Sequence, residues 1–361
     1  MLGVIRFLLS FCVIAFHLTA TIPNLGLLAV NFFYVISGFL ISLVLHETYN
    51  FKFRPFAANR FLRLYPAYFA IAGISLLFAI SFESHHQFHV SWSSPPSISD
   101  IFGNALIFPW AFLADDIVPV NFLELDIFQS STSHFRLVPS TWSVGVEIVC
   151  YFLLWLFAAR QLWSTIATIA IAIAWQWYVL HSSTNPLHGY FPVTAALLPF
   201  GLGSLAYHIS TIIKLKPLYG FSAISLTIAS CILFISNWKL SLDSPNLIGS
   251  ASYYANNALA FFTVLLINRT SHTGTTKTID KWLGDLAYPM FLGHYVFGFI
   301  AWRILGENSA SRGIEVFMLG SAITILASII VVQVVDKNLM KARNKIRFSA
   351  KDGRNLTAVE S

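Results

Sequence analysis

The sequence predicts an all-α, polytopic membrane protein with about ten transmembrane helices and both termini in the cytoplasm. Three observations lead there. Hydrophobic residues make up 56% of the 361 positions and charged residues 11%, against roughly 25% charged in a soluble domain. So little charge cannot cover a soluble fold of this length. Mean hydropathy is +0.69, and the apolar residues gather in separate runs of bilayer-crossing length. Lys and Arg are also shared unevenly between alternate connecting segments. Disorder, a coiled coil and nucleic-acid binding each need far more polar surface, so no nucleic-acid partner is expected.

A spanning helix needs roughly 17–25 mostly apolar residues. Such runs occur, in order, at about 2–22, 26–46, 62–82, 141–159, 162–180, 191–213, 218–236, 251–268, 285–304 and 314–336. A shorter apolar piece at 101–114 reads as interfacial or re-entrant. With the N-terminus inside, only Arg136, Lys239, Arg303 and Arg312 fall in outer segments, and the remaining eighteen of the 22 Lys and Arg fall in inner ones. That split favours an even number of spans. Residues 1–336 form the transmembrane domain, and 337–361 a basic cytoplasmic tail, read as a topology anchor on anionic lipid. The first helix reads as retained: Arg6 alone supplies a leader-type charge and no A-x-A site follows.

The longest connection, about 83–140, carries His85, His86, His89, Asp115, Asp116, Glu124 and Asp126. An HHxxH cluster without matched partners reads as a solvated loop, and no metal is expected. Cys12, Cys150 and Cys231 are far apart in apolar runs and read as small buried hydrophobes. The chain lacks paired broken helices, which disfavours a secondary transporter.

Ionisable groups in apolar spans are functional candidates, because charge is costly there. Arg6 and His17 stand eleven residues apart on the first helix, roughly 16 Å and almost three turns, so they share a face. A snorkelling arginine with a core histidine explains each residue singly. Glu147 enters the fourth span from the outer side, at a depth near that expected for His17. The two are a base with its orienting carboxylate, or a structural hydrogen bond; spacing accepts both. Arg60 and Arg63, at i and i+3, join Arg6 at the inner end. Three guanidinium groups at one level suit a phosphate, although positive-inside anchoring explains an isolated pair. Ser37 and Gly38 permit close packing of the second helix. In the ninth, Pro289 fits a first turn, and His294 lines the same cavity or is a hydrogen-bonded core histidine.

Taken together, Arg6 and His17 as Arg-x10-His, FFYVISGFLI, RFLRLYP from Arg60 to Pro66, TWSVGVE and LGDLAYPMFLGHY resemble the acyltransferase-3 family of integral membrane acyltransferases. The motifs lie in family order and span most of the chain. Asn31 stands where an acid is common and Val144 where Leu is common. The resemblance implies a ten-helix enzyme of the bacterial inner membrane, in its stand-alone form without a fused hydrolase-like domain. It implies O-acylation, often O-acetylation, of a carbohydrate acceptor such as a surface polysaccharide or lipid-linked glycan. The implied donor is cytoplasmic acyl-CoA, most simply acetyl-CoA, with no permanently bound cofactor. In that reading His17 and Glu147 are catalytic, and Arg6, Arg60 and Arg63 hold the phosphates of the donor. Ser37, Tyr65, Trp142, Tyr288 and His294 shape the substrate cavity. A transporter or flippase of a lipid-linked glycan would use the same ionisable groups as a proton relay. A scaffold would use them only to join helices.

Overall fold

A computed structural model describes residues 1–120, 130, 132–182, 185–213, 218–219, 221–244, 246–271, 274–307 and 310–357. The elements in chain order are α1 (Leu2–Leu18), α2 (Leu25–Val44), α3 (Phe53–Ser81), α4 (His85–Phe88), α5 (Ile98–Leu106), α6 (Thr141–Leu153), α7 (Leu162–His181) and α8 (Val193–Ile212). There follow α9 (Phe221–Ser241), α10 (Ala251–Ile267), α11 (Gly274–Ile304), α12 (Ile314–Val331) and α13 (Lys337–Thr357). Two short strands, β1 (Leu218–Tyr219) and β2 (Thr270–Ser271), pair in parallel beside α9 and α10. The fold is that of an all-α, polytopic membrane protein. A helix occupies each predicted apolar run, and among the described residues 7 helices are long and apolar enough to cross a membrane. The shorter α1 and α10 are also apolar.

The ends of several helices differ from the sequence reading. The first ends at Leu18, because Thr19 turns extended at φ −123 and ψ 158, and Pro23 follows shortly after. Asn24, left-handed at φ 65, then starts α2. The third begins at Phe53, since its arginine-bearing stretch continues the helix beyond the apolar run. Likewise α11 begins at Gly274, which puts Pro289 inside a helix rather than in its first turn. Buried prolines of this kind are tolerated where neighbours satisfy the backbone. Ser10 Oγ donates to the Ala287 carbonyl at 2.8 Å, close to Pro289.

Three spans end in a π-helical turn: Leu45–Tyr49 after α2, Leu154–Ala158 after α6 and Val332–Asp336 between α12 and α13. The centre of the bundle is α11, whose second half is largely buried against α1 and α12. Small residues let α2 and α8 touch through their backbones. A Cβ on Gly38 would lie 2.2 Å from the Phe200 carbonyl, and one on Gly203 would lie 2.1 Å from that of Val35. Outer faces carry exposed apolar groups such as Trp163, Trp177 and Ile232, as a bilayer solvent allows.

Between α3 and α6 the chain folds into a cap. Ser97 and Asp100 form a capping box at the start of α5. Tyr68 Oη and Ser75 Oγ tie α3 to it, donating to the carbonyls of Asn104 and Leu137. The turn Phe108–Ala111 sits tightly on α6, where a Cβ on Gly145 would lie 2.8 Å from the Ile107 carbonyl. The cap's interior is an ion-pair cluster. Asp115 accepts from Arg136 Nη1 at 2.9 Å and from the backbone N–H groups of Val118 and His134, each at 2.8 Å. The guanidinium of Arg136 lies 4.9 Å over the Trp110 ring, and His134 Nδ1 lies 2.6 Å from Asp100. Burial pulls Arg136 below its ordinary value, although Asp115 opposes it. Burial pushes the Asp100 carboxyl up, but hydrogen bonds from His134 and Ser97 hold it below the usual carboxylate range.

Candidate active site

Two adjoining cavities open where α1, α2, α3 and α11 converge. Arg6, one turn into α1, and Arg60 and Arg63, one turn apart on α3, line both. The inner cavity, of about 120 Å3, is also lined by Ser37 from α2, Glu147 and Tyr151 from α6, and Tyr288 from α11. The outer one, of about 290 Å3, adds Lys281, Asp285, Arg343 and Arg347. The three arginines therefore form a neck between two chambers.

Helical spacing explains this arrangement. Residues four apart share a face, so Glu147 and Tyr151 enter the cavity together. Ser37 Oγ donates to Glu147 Oε1 at 2.8 Å, and Tyr151 Oη makes a short hydrogen bond to the same oxygen. Tyr288 Oη donates to the Leu64 carbonyl at 3.1 Å, which brings α11 against α3. Arg6 lies within Coulombic range of Glu147, Asp285 and Arg63. Arg63 pairs with Asp285 at 3.5 Å and with Asp336 at 3.6 Å. Among the described residues, no carboxylate reaches ion-pair distance of Arg6 or Arg60. The neck holds more positive than negative charge, in a partly buried setting that suits an anion.

His17 belongs to a second group, at the far end of α1. Its Nδ1 lies 2.6 Å from Tyr295 Oη, and its ring stacks on His294 with centroids 5.1 Å apart. His89, from the cap, approaches Tyr295 at 4.4 Å between ring centroids. Arg312 closes the end of the helix, donating from Nη2 to the carbonyls of Phe16 at 2.7 Å and Thr19 at 2.8 Å. Burial, reinforced by Arg136, His294 and Arg312, pushes the His89 imidazole down to about 3. His17 itself is half-buried, whereas His294 is fully buried and its Nε2 has no partner among the described residues.

The structure thus gathers Arg6, Arg60, Arg63, Ser37, Glu147 and Tyr288 around one cavity. His17 and His294 stack on each other outside its lining. The two groups share α11: Phe291 lines the cavity, and His294 Nδ1 lies 2.7 Å from the Phe291 carbonyl. The Phe33 and Phe291 rings, 6.4 Å apart, form the cavity wall. Trp142 packs on Phe191 with ring centroids 4.5 Å apart. Tyr65 stacks on Phe61 and donates to the Leu106 carbonyl, so it meets the cap instead of the cavity.

Several participants were not singled out from sequence. Tyr151 carries the signal of standing four residues after Glu147. Asp285 and Asp336 carry the signal of acids bordering apolar runs, and Tyr295 that of following His294. The contacts of Arg343 and Arg347 have no local signal, since they depend on where the last helix folds back. Among the described residues no group of three His, Cys, Asp or Glu is placed to hold a metal ion. His85 and His86 bond to the nearby carbonyls of Phe82 and Glu83, and His89 Nδ1 accepts from Ser91 N. Glu124 and Asp126 lie outside the described residues.

The family model described as "Acyltransferase domain" (acyltransferase-3) matches residues 2–333, nearly the whole chain. No curated protein and no solved structure matches it.

Proposed function

The chain belongs to the acyltransferase-3 family of integral membrane acyltransferases, and on that premise we propose that it moves an acyl group, most simply acetyl, from acyl-CoA to a hydroxyl of a carbohydrate acceptor. The acceptor is a surface polysaccharide or lipid-linked glycan, and the site of action is the bacterial inner membrane. One observation supports this above the others: an arginine neck opens into a polar chamber holding Glu147, Ser37 and Tyr151. Guanidinium groups suit the phosphates of the donor, and the chamber suits its pantetheine arm.

Arg6 and His17 are roughly 16 Å apart along α1, comparable with that arm. In the proposed reaction the donor phosphates stay at the neck, and the thioester passes the Phe33–Phe291 wall towards His17. His17 takes the proton of the acceptor hydroxyl. The hydroxyl oxygen bonds to the thioester carbon, the carbon–sulfur bond breaks, and the CoA thiolate recovers the proton. Transfer through an acyl-His17 intermediate gives the same products. In this reading the acceptor reaches His17 from the end of α1 opposite the arginines. The Glu147 carboxylate offsets the charge of Arg6 and holds Ser37 and Tyr151 along the donor path.

Membranes containing the protein, labelled acetyl-CoA and host glycan extract test the proposal. Label should enter glycan with wild type and not with His17→Ala or Arg6→Ala. Full transfer by His17→Ala would falsify the assignment of the base. Absence of transfer across a panel of acyl-CoA donors, by abundant folded wild type, would count against the enzyme reading of this site.

A further inference from the structure

The matched family region ends at residue 333, yet the wall of the outer chamber is completed beyond it. Met340, Arg343, Asn344 and Arg347 lie on one face of α13 and line that chamber. Positions 343 and 347 are four apart, so both guanidinium groups point the same way. The face is fixed in place: Asn59 Nδ2 on α3 donates to the Arg343 carbonyl at 3.0 Å. Lys341 and Lys345 lie on other sides of the helix and are exposed. A helix serving only as a lipid anchor would turn its arginines outward with those lysines.

Arg343 and Arg347 meet other cations here. Arg60 lies within Coulombic range of Arg347 and Arg63, and Arg343 within range of Arg60 and Arg63. The nearby acids, Asp285 and Asp336, both pair with Arg63. Among the described residues, no carboxylate is within ion-pair distance of Arg343 or Arg347. Among the described residues, the buried Nε atoms of Arg60 and Arg343 have no hydrogen-bond partner. Such a concentration of unbalanced, partly desolvated guanidinium groups suits a ligand with more than one phosphate.

We propose that Arg343 and Arg347 form a second phosphate subsite, which takes the ribose 3′-phosphate of a coenzyme A donor while the neck takes its diphosphate. This rests on the acyl-CoA reading above. The order follows from the connectivity of the donor. The pantetheine arm must enter the inner chamber, so the diphosphate attached to it lies at Arg6, Arg60 and Arg63. The ribose and its 3′-phosphate come next, in the outer chamber where α13 supplies its arginines.

Binding of adenosine 3′,5′-bisphosphate and of AMP to the full chain, in an uncharged detergent, tests this without acyl transfer. Wild type should prefer the bisphosphate by about tenfold or more. Arg343→Gln/Arg347→Gln should bind both as weakly as AMP, and Lys341→Gln/Lys345→Gln should keep the wild-type preference. A wild type without preference, or an arginine variant that keeps it, overturns the proposal. A parallel arm adds phosphatidylglycerol. Stabilisation by that lipid, but not by the bisphosphate, that depends on the two arginines would assign them to lipid and likewise overturn it. Intact bisphosphate preference without acyl transfer would sink the proposed reaction and leave the subsite standing.

Discussion

Tyr295 Oη stands 2.6 Å from His17 Nδ1, joining the centre of the bundle to the far end of its first helix. With Nδ1–H donating to the Tyr295 oxygen, Nε2 keeps the lone pair that the proposed general base needs. Tyr295→Phe should lower acyl transfer by about tenfold, the worth of one buried hydrogen bond. His17→Ala should lower it by about 10²–10⁴, the span of a lost general base. Initial rates with labelled acyl-CoA compare them, and an unimpaired Tyr295→Phe would remove the tyrosine from that role.

Glu147 accepts from two hydroxyl groups beside an arginine-rich neck. Glu147→Gln keeps the shape and removes the charge. Its kcat/KM for acyl-CoA should fall by about tenfold or more, since each 1.4 kcal/mol of lost transition-state stabilisation is tenfold. Equal expression with equal kcat/KM would show that the negative charge is dispensable.

In the cap, Asp115 and Arg136 are both fully buried. Asp115→Ala leaves the guanidinium uncompensated and should cost about 3–5 kcal/mol. A large drop in Tm is the expected reading, with or without donor. An unchanged Tm would mean that water reaches Arg136 once the carboxylate is gone.

Acid should loosen the same cap through His89. Its pKa is about 3 in the fold, against about 6.5 in an unfolded chain. Because the folded value is the lower one, the unfolded chain binds the extra proton first. The stability from neutral His89 is present in full above pH of about 6.5 and is lost as pH falls towards the folded value. The groups facing it, Arg136, His294, Arg312 and His17, oppose the proton, and Asp115 favours it. Asp100, held below its ordinary value, adds an acid loss that begins lower, near pH 4. Melting curves at pH 7 and pH 5 should therefore differ less for His89→Gln than for wild type. An identical difference would remove His89 as the source.

The helices were legible because each is an apolar run with polar punctuation, and the arginine neck because Arg60 and Arg63 share a face whatever surrounds them. The relation between His17 and Glu147 was not legible. Counting residues from helix ends put them at one depth, but α1 stops at Leu18 and leaves His17 in its last turn. The structure surrounds His17 with Tyr295 and His294, and Glu147 with Ser37 and Tyr151. Depth along single helices carries no information on which faces meet. Tyr65 illustrates this: it lies within the RFLRLYP run, yet its side chain turns to the cap. Tyr288 and Ser37, by contrast, line the inner cavity.

The π-helical turn Val332–Asp336 joins α12 to α13 without interrupting the helix. Such a turn carries one residue more than an α-helical turn. The extra residue is absorbed locally, because the wider turn sweeps nearly the same angle as an α-helical turn with one residue fewer. Deleting one residue within Val332–Asp336 would therefore leave Arg343 and Arg347 facing the chamber, whereas deleting one between Asp336 and Arg343 would rotate them off it by about 100°. The junction thus acts as slack in the chain, tolerant of a change in length that the helix after it is not.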